Sequence, residues 1–323
     1  MKTTIFSFLL LAGLIFTGCS NKHPKIGFLI HSFESPRWKN DQKYFVDAVK
    51  QMGGVPIVKV ADNNAEMQLE QAKGLINQGV KVLVVIPVNQ KTAAKIVNAA
   101  HEKGIQVIAY DRLINNCRLD YYVSTDNVRV GEIQASYLSK IKPKGNYALI
   151  GGPPNDNNSR MLYIGQLNIL QPLVELKEIN IAFRQFANYW TTDEGYRLAI
   201  AGLDSLDNKL DAIICGNDAM ALGAIKALKE RGLEGKVAVA GQDADVPNIQ
   251  QIMKGNQSVT VFKRIKTMAS TAAELAVHLA KKEPLEPYLS TISNGDRLVP
   301  SYLVDAVAVN EGNIEMTVVA ERN

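Results

Sequence analysis

The run Val82–Leu83–Val84–Val85–Ile86 consists of five consecutive aliphatic residues. A strand with one face in water alternates apolar and polar residues, whereas a continuous apolar run suits a parallel strand that helices cover on both faces. Similar short runs alternate with stretches of helical period from Lys25 to Lys281, and Gly79 and Gly104 follow predicted helices as left-handed caps. The pattern predicts an α/β protein with two doubly wound parallel-sheet domains.

The alternation of strands and helices begins again after about residue 128, which predicts two lobes. Their predicted extents are residues 25–128 plus about 265–294 for the N-terminal lobe, and 129–264 plus about 295–315 for the C-terminal lobe. The helix predicted at Ile265–Lys281 has no place in a simple second domain. We therefore expect the chain to cross back to the first lobe near Lys263–Lys266 and to return near Asn294.

The N-terminus has the features of an export signal. Lys2 precedes the mostly apolar run Ile5–Phe16, which is shorter than the about 20 residues that span a bilayer. Thr17–Gly18–Cys19 resembles a bacterial lipobox, in which the cysteine is lipidated. We predict a lipoprotein signal peptide over residues 1–18, lipidation of Cys19, a tether over 19–24, and a membrane-anchored protein in the periplasm or at the cell surface. The alternative is an ordinary signal peptide with a chance cysteine.

Composition excludes several classes of protein. The chain has 323 residues and a formal net charge of +4, which is too weak and too evenly spread to indicate nucleic-acid binding. Cys117 and Cys215 alone cannot form a disulfide framework, and Cys215, in an apolar run, is predicted to be a buried free thiol. The four histidines lack metal-ligand spacing, and the glycine-rich phosphate-binding patterns are missing from the sequence. No cofactor or metal is predicted.

Polar and aromatic residues cluster where the predicted strands end, which is where open parallel sheets bind ligands. The candidate residues are Arg37, Trp38, Asp111, Arg112, Asn158, Trp190, Asn217, Asp243 and Lys263. Some of these residues have a plainer alternative: Asn158, like the neighbouring Asp218, as a helix N-cap, Arg112 as a surface partner of Asp111, and the two tryptophans as core residues.

As a set, these residues favour a binding site for a neutral polyol. Planar carboxylate, amide and guanidinium groups bridge neighbouring hydroxyls, and hydrogen bonds to charged groups are the stronger class. The chain contains two tryptophans, one in each predicted lobe, and these could stack on the apolar faces of a sugar ring as the lobes close over it.

Several of these stretches carry a family resemblance. They are Arg37–Asp41, Ala109–Asn115, Gly151–Asn158, Ile213–Ala219, Gly241–Asp245 and Val259–Lys263. The sequence resembles the ribose/galactose-type periplasmic sugar-binding family over nearly the whole mature chain, and its D-xylose-binding members above all. The resemblance implies a type I periplasmic-binding-protein fold, with a multi-strand hinge and a monosaccharide, D-xylose, between the lobes.

The resemblance also assigns roles to the candidate residues. It implies sugar contacts from Arg37, Asp111, Arg112, Asn158, Asn217, Asp243 and Lys263, with Trp38 and Trp190 stacking on the ring. Two departures stand out. Phe186 replaces a tryptophan within a strand, away from the sugar, and His31–Ser32–Phe33 replaces an acidic loop at the rim of the cleft.

These observations bear on four functions. Transport, in which the protein hands its sugar to a membrane permease with an ATPase, is favoured; signalling to a membrane histidine kinase is the alternative. A glycosidase with Asp111 and Asp243 as its acid and base is disfavoured, because carboxylates beside Arg112 and Lys263 stay ionised. A DNA-binding regulator is excluded because the export signal occupies the place of its DNA-binding helices.

Overall fold

The protein is described by a computed structural model. The structure describes residues 23–33, 35, 37–287 and 290–315. The predicted signal peptide and Cys19 lie outside these residues.

The described chain alternates strands and helices in the predicted order. The first elements are β1 (Lys25–Ile30), α1 (Arg37–Gln51), β2 (Val55–Val60), α2 (Ala65–Asn77), β3 (Val82–Val85), α3 (Gln90–His101), β4 (Gln106–Tyr110), β5 (Tyr121–Thr125) and α4 (Asn127–Ile141). Next come β6 (Gly145–Gly151), α5 (Asn157–Glu175), β7 (Ile179–Phe186), α6 (Thr192–Ser205), β8 (Ala212–Cys215), α7 (Asp218–Glu230), β9 (Ala238–Gln242), α8 (Val246–Met253) and β10 (Val259–Lys263). The last are α9 (Ile265–Lys281), β11 (Ser290–Ser293), β12 (Leu298–Val304) and β13 (Ala306–Val309).

The strands form two separate sheets, and this confirms the predicted fold class. A seven-stranded sheet has the order β11-β12-β5-β4-β3-β1-β2, and a six-stranded sheet has the order β13-β10-β9-β8-β6-β7. The strands run parallel except β11 and β13, each of which pairs antiparallel with its neighbour. Every residue of β3 and of β8 is buried, as expected for apolar strands covered on both faces.

Each sheet lies between two layers of helices. In the first lobe α1 packs against α9 on one face, where Phe45 and Met268 join the core, while α2 and α3 cover the other face. In the second lobe α4 pairs with α5 and α6 pairs with α7. Because the chain passes to the other lobe directly after β5, β10 and β12, the carboxyl ends of the parallel strands of both sheets face the space between the lobes.

The chain passes between the lobes at three places among the described residues. They are Asp126, between β5 and α4; Arg264, between β10 and α9; and Asp305, between β12 and β13. The predicted return near Asn294 is wrong. Asn294 lies in the turn between β11 and β12, and β12 continues the first sheet by pairing in parallel with β5, so the return comes only after Val304.

Cys117 and Cys215 are both buried free thiols, as predicted for Cys215. They lie in different lobes, Cys117 beyond the end of β4 and Cys215 at the end of β8. Among the described helices, none combines the length and the apolar character that a membrane span requires.

Candidate functional site

Arg37 lies at the centre of the space between the lobes. It is the first residue of α1, and it is 8% exposed. Its Nη2 donates a hydrogen bond of 2.5 Å to Asp111, and its Nε lies 3.4 Å from an Asp41 oxygen. Its Nη1 lies 3.6 Å from Oδ1 of Asp243, which belongs to the other lobe. One guanidinium thus joins three carboxylates and links the two lobes.

Asp111 is held firmly by its surroundings. It follows β4 with a φ of 61°, a left-handed conformation that is uncommon outside glycine. The Tyr122 and Ser124 hydroxyls donate hydrogen bonds to its carbonyl, at 2.8 and 2.9 Å. Its carboxylate accepts from Arg37 and, at 3.0 Å, from Nδ2 of Asn158 in the second lobe. The side chain therefore has a fixed direction, and it also joins the two lobes.

Positive charges keep Asp111 ionised. Burial would raise the pKa of Asp111, but Arg37, Lys263 and Arg112 together lower it below its usual value. A carboxylate with such a pKa accepts hydrogen bonds and cannot serve as a general acid near neutral pH. The charge balance therefore suits binding rather than proton transfer.

Asp41 contacts Arg37 and accepts a hydrogen bond from Tyr110. The contact between Arg37 and Asp41 was not predicted from the sequence. The Tyr110 hydroxyl donates a 2.5 Å hydrogen bond to Asp41, and Asp41 is fully buried. Burial raises the pKa of Asp41, although Arg37 lowers it. The sequence did contain a signal for the contact between Arg37 and Asp41, because residues four positions apart on a helix lie on the same face.

The second lobe contributes Asp243, Lys263 and Asn217. Asp243 follows β9 with a φ of 99°, and its Oδ1 lies 3.6 Å from Nζ of Lys263, which is 3% exposed. Within the part of the chain that the structure describes, Oδ1 of Asp243 is buried without a hydrogen bond. Asn217 is the N-cap of α7 and accepts from the amide of Met220, so its Nδ2 is the group that remains for a ligand.

A chain of contacts connects the two tryptophans across the cleft. Trp38 lies in the first turn of α1 and is 6% exposed, with the Arg112 guanidinium 5.9 Å from its ring centroid. Nε of Arg112 lies 3.4 Å from Asp156 in the other lobe, and Asp156 accepts a 3.1 Å hydrogen bond from Nε1 of Trp190. The Trp190 ring lies so close to Gly152 that a side chain there would collide with it.

The structure decides between most of the alternatives weighed for single residues. Asp156, not Asn158, is the N-cap of α5, so the Asn158 side chain is left to contact Asp111. Arg112 pairs with Asp156 rather than with Asp111. Asp218 is not a cap either; it is fully buried and accepts hydrogen bonds from Thr260. Trp38 is also a core residue, as the plainer alternative held.

Together these groups form a polar cluster where the two lobes meet. Three contacts in it join the lobes, which are Arg37 to Asp243, Asn158 to Asp111 and Arg112 to Asp156. Its charges alternate in sign, and aromatic rings lie at its edge. Such an arrangement offers both donors and acceptors to a neutral ligand and a flat apolar surface to a ring.

Two α/β lobes with a three-crossing hinge and a polar cleft define the class of ligand-binding proteins with a type I periplasmic-binding-protein fold. Comparison with known proteins agrees, because the periplasmic binding protein domain matches residues 26–284. The chain belongs to the periplasmic binding protein family.

Its relatives include two D-xylose-binding periplasmic proteins. The Haemophilus influenzae protein is 41% identical over 93% of this chain and 90% of its own length, and the Escherichia coli protein is 42% identical over 93% and 91%. Among solved structures, an ABC transporter solute binding protein from Clostridium phytofermentans with bound beta-D-glucose is 30% identical. It superposes with a TM-score of 0.83 over 92% of this chain and 97% of its own.

Proposed function

We propose that this protein is an exported lipoprotein that binds D-xylose between its lobes and delivers it to an ABC-type sugar transporter, without enzymatic activity. The observation that carries the proposal is that Arg37 and Asp111 from one lobe meet Asn158, Asp243 and Lys263 from the other lobe in one cluster between the lobes. The names of the relatives at 41–42% identity support D-xylose as the ligand.

The proposed contacts suit a pentose. Asp111 and Asp243 accept hydrogen bonds from sugar hydroxyls, while Arg37, Lys263 and the Asn158 and Asn217 amides donate to them. Trp38 and Trp190 cover the apolar ring faces. Because sugar contacts come from both lobes, the sugar binds the closed form more tightly than the open one, and that difference in affinity closes the lobes. The closed form is then what a permease recognises.

A tryptophan-fluorescence titration tests the function directly. The mature protein is titrated with D-xylose, D-ribose, L-arabinose, D-glucose and D-galactose. Because both tryptophans border the cleft, a saturable signal change is expected with D-xylose at micromolar concentration, with much weaker responses to the others. A response to another sugar on the panel would change the assigned ligand but not the assigned binding site. No response across the panel would contradict sugar binding.

Trp190→Ala is expected to weaken D-xylose binding about tenfold, because stacking buries roughly 60 Å² of apolar surface, worth about 1.5 kcal/mol. Trp190→Phe, which keeps a ring but loses the bond to Asp156, is expected to keep most of the affinity. Calorimetry measures both, and the thermal midpoint of each apo variant checks the fold. Unchanged affinity in Trp190→Ala would contradict the stacking role.

The lipid anchor is proposed on the sequence alone, since Cys19 lies outside the described residues. Cys19→Ala is expected to release the protein from the membrane fraction, because acyl chains contribute about 0.8 kcal/mol for each buried CH₂ group. Membrane fractionation with the wild-type protein as the control measures this. A variant that still sediments with membranes would show that the anchor is not at Cys19.

A further inference from the structure

His31 lies beside the proposed sugar site but has no part in the contacts described so far. It follows β1 directly, at the carboxyl end of a strand of the first sheet, and is 5% exposed. Its ring meets the Trp38 ring edge to face, with centroids 4.7 Å apart and planes at 88°. The side chain is therefore fixed against one of the two tryptophans that border the cleft.

One ring nitrogen of His31 has an unsatisfied hydrogen-bonding group among the described residues. Within the described ranges, Nδ1 is buried and makes no hydrogen bond. A neutral imidazole carries one donor and one acceptor, and a buried polar atom without a partner is costly. Since the described chain supplies no partner, a bound molecule is the natural source of one.

The charges around His31 determine whether its imidazole is neutral or protonated when a ligand binds. Burial lowers the pKa of His31, and Arg112 and Arg37 lower it further, against the opposing influence of Asp111. His31 is therefore neutral near pH 7. A neutral imidazole, like a sugar hydroxyl, can donate or accept, and it adds no charge to the balance that Arg37 and Asp111 already establish.

We propose that His31 is a specificity-determining residue of the sugar site, whose neutral imidazole hydrogen-bonds one sugar hydroxyl on the Trp38 side of the cleft. This inference rests on the proposed sugar-binding function and deepens it. Such a contact selects the sugar by the position of one hydroxyl.

Calorimetry on three variants of the mature protein tests the proposal. His31→Phe keeps a ring against Trp38 but removes both nitrogens, and His31→Asn restores an acceptor near the place of Nδ1. Gln71→Met is the matched control, because Gln71 also has a buried oxygen without a hydrogen bond but lies on α2, away from the cleft. Each is titrated with the preferred sugar and with its monodeoxy analogues.

We expect His31→Phe to weaken the preferred sugar about tenfold, His31→Asn to recover affinity to within about threefold, and Gln71→Met to leave it unchanged. With the analogue that lacks the contacted hydroxyl, wild type and His31→Phe should bind equally. If His31→Phe lost the same affinity for every analogue, the proposal would be overturned, because His31 would then only support Trp38. Unchanged affinity in His31→Phe would also overturn it. Failure of the wild type to bind any sugar would instead reject the proposed function.

Discussion

Arg37→Met is expected to lower the free energy of unfolding by about 3–5 kcal/mol, the usual cost of removing one partner from a buried ion pair. The guanidinium lies within 4 Å of Asp41, Asp111 and Asp243, and methionine fills much of its volume without its charge. Asp41 and Asp111 would then remain buried as carboxylates that have lost their nearest cation. Denaturant unfolding of the apo protein, followed by tryptophan fluorescence, measures the change.

Arg112→Met is the matched control for this prediction. Its side chain is 18% exposed and lies 3.4 Å from a single carboxylate, that of Asp156. Because Arg112→Met removes one such pair where Arg37→Met removes three, we expect a smaller loss of stability from Arg112→Met. If both variants lost the same free energy of unfolding, Arg37 would not have a special role in stabilising the buried carboxylates. Any arginine at the cleft would then contribute equally to stability.

The pH dependence of the Arg37→Met effect has a definite sign. Burial already raises the pKa of Asp41 while Arg37 opposes it, so removal of Arg37 raises that pKa further. A group with a raised pKa binds more protons in the folded than in the unfolded state, so the stability of the variant increases as the pH falls. The difference between wild type and variant is therefore expected to be smaller at pH 5 than at pH 7.

Most of the fold could be predicted because its strands are continuous apolar runs separated by helices of regular period. The exceptions are β11, β12 and β13, which follow one another without intervening helices. β12 contains Pro300 although strands pair with it on both sides, and proline within a run argues against an interior strand. The crossing between the lobes at Asp305 joins β12 directly to β13. No loop-like sequence lies there, so it could not be predicted from composition.

The site was only partly visible in the sequence. Strand ends predicted that the charged candidates would lie near one another, because parallel strands bring their carboxyl ends to one edge, and the structure brings Arg37, Asp111 and Asp243 together. The sequence could not show that Asp111 and Asp243 take left-handed conformations, since nothing in an aspartate marks it as glycine does. Nor could it show that Asp156, the N-cap of α5, would lie between Arg112 and Trp190.

Asp243→Asn is expected to weaken D-xylose binding about 10- to 150-fold, because a hydrogen bond to a charged group is worth roughly 1.5–3 kcal/mol. Asparagine has the same shape and tolerates a φ of 99°, so the backbone stays in place. The substitution removes the negative charge that lies 3.6 Å from both Arg37 and Lys263. Those cations then lose an ordering partner, and the sugar loses a strong acceptor. Calorimetric titration measures the affinity.

Asp207→Asn is the control for Asp243→Asn, since Asp207 is also a left-handed aspartate, with a φ of 48°, but is exposed in the loop between α6 and β8. It should bind D-xylose as the wild type does. A loss confined to Asp243→Asn would show that the sugar depends on the charge of that carboxylate rather than on the backbone at such a position. If Asp243→Asn kept wild-type affinity, the carboxylate would only pair the two cations, and the sugar hydroxyls would have to find their acceptor in Asp111.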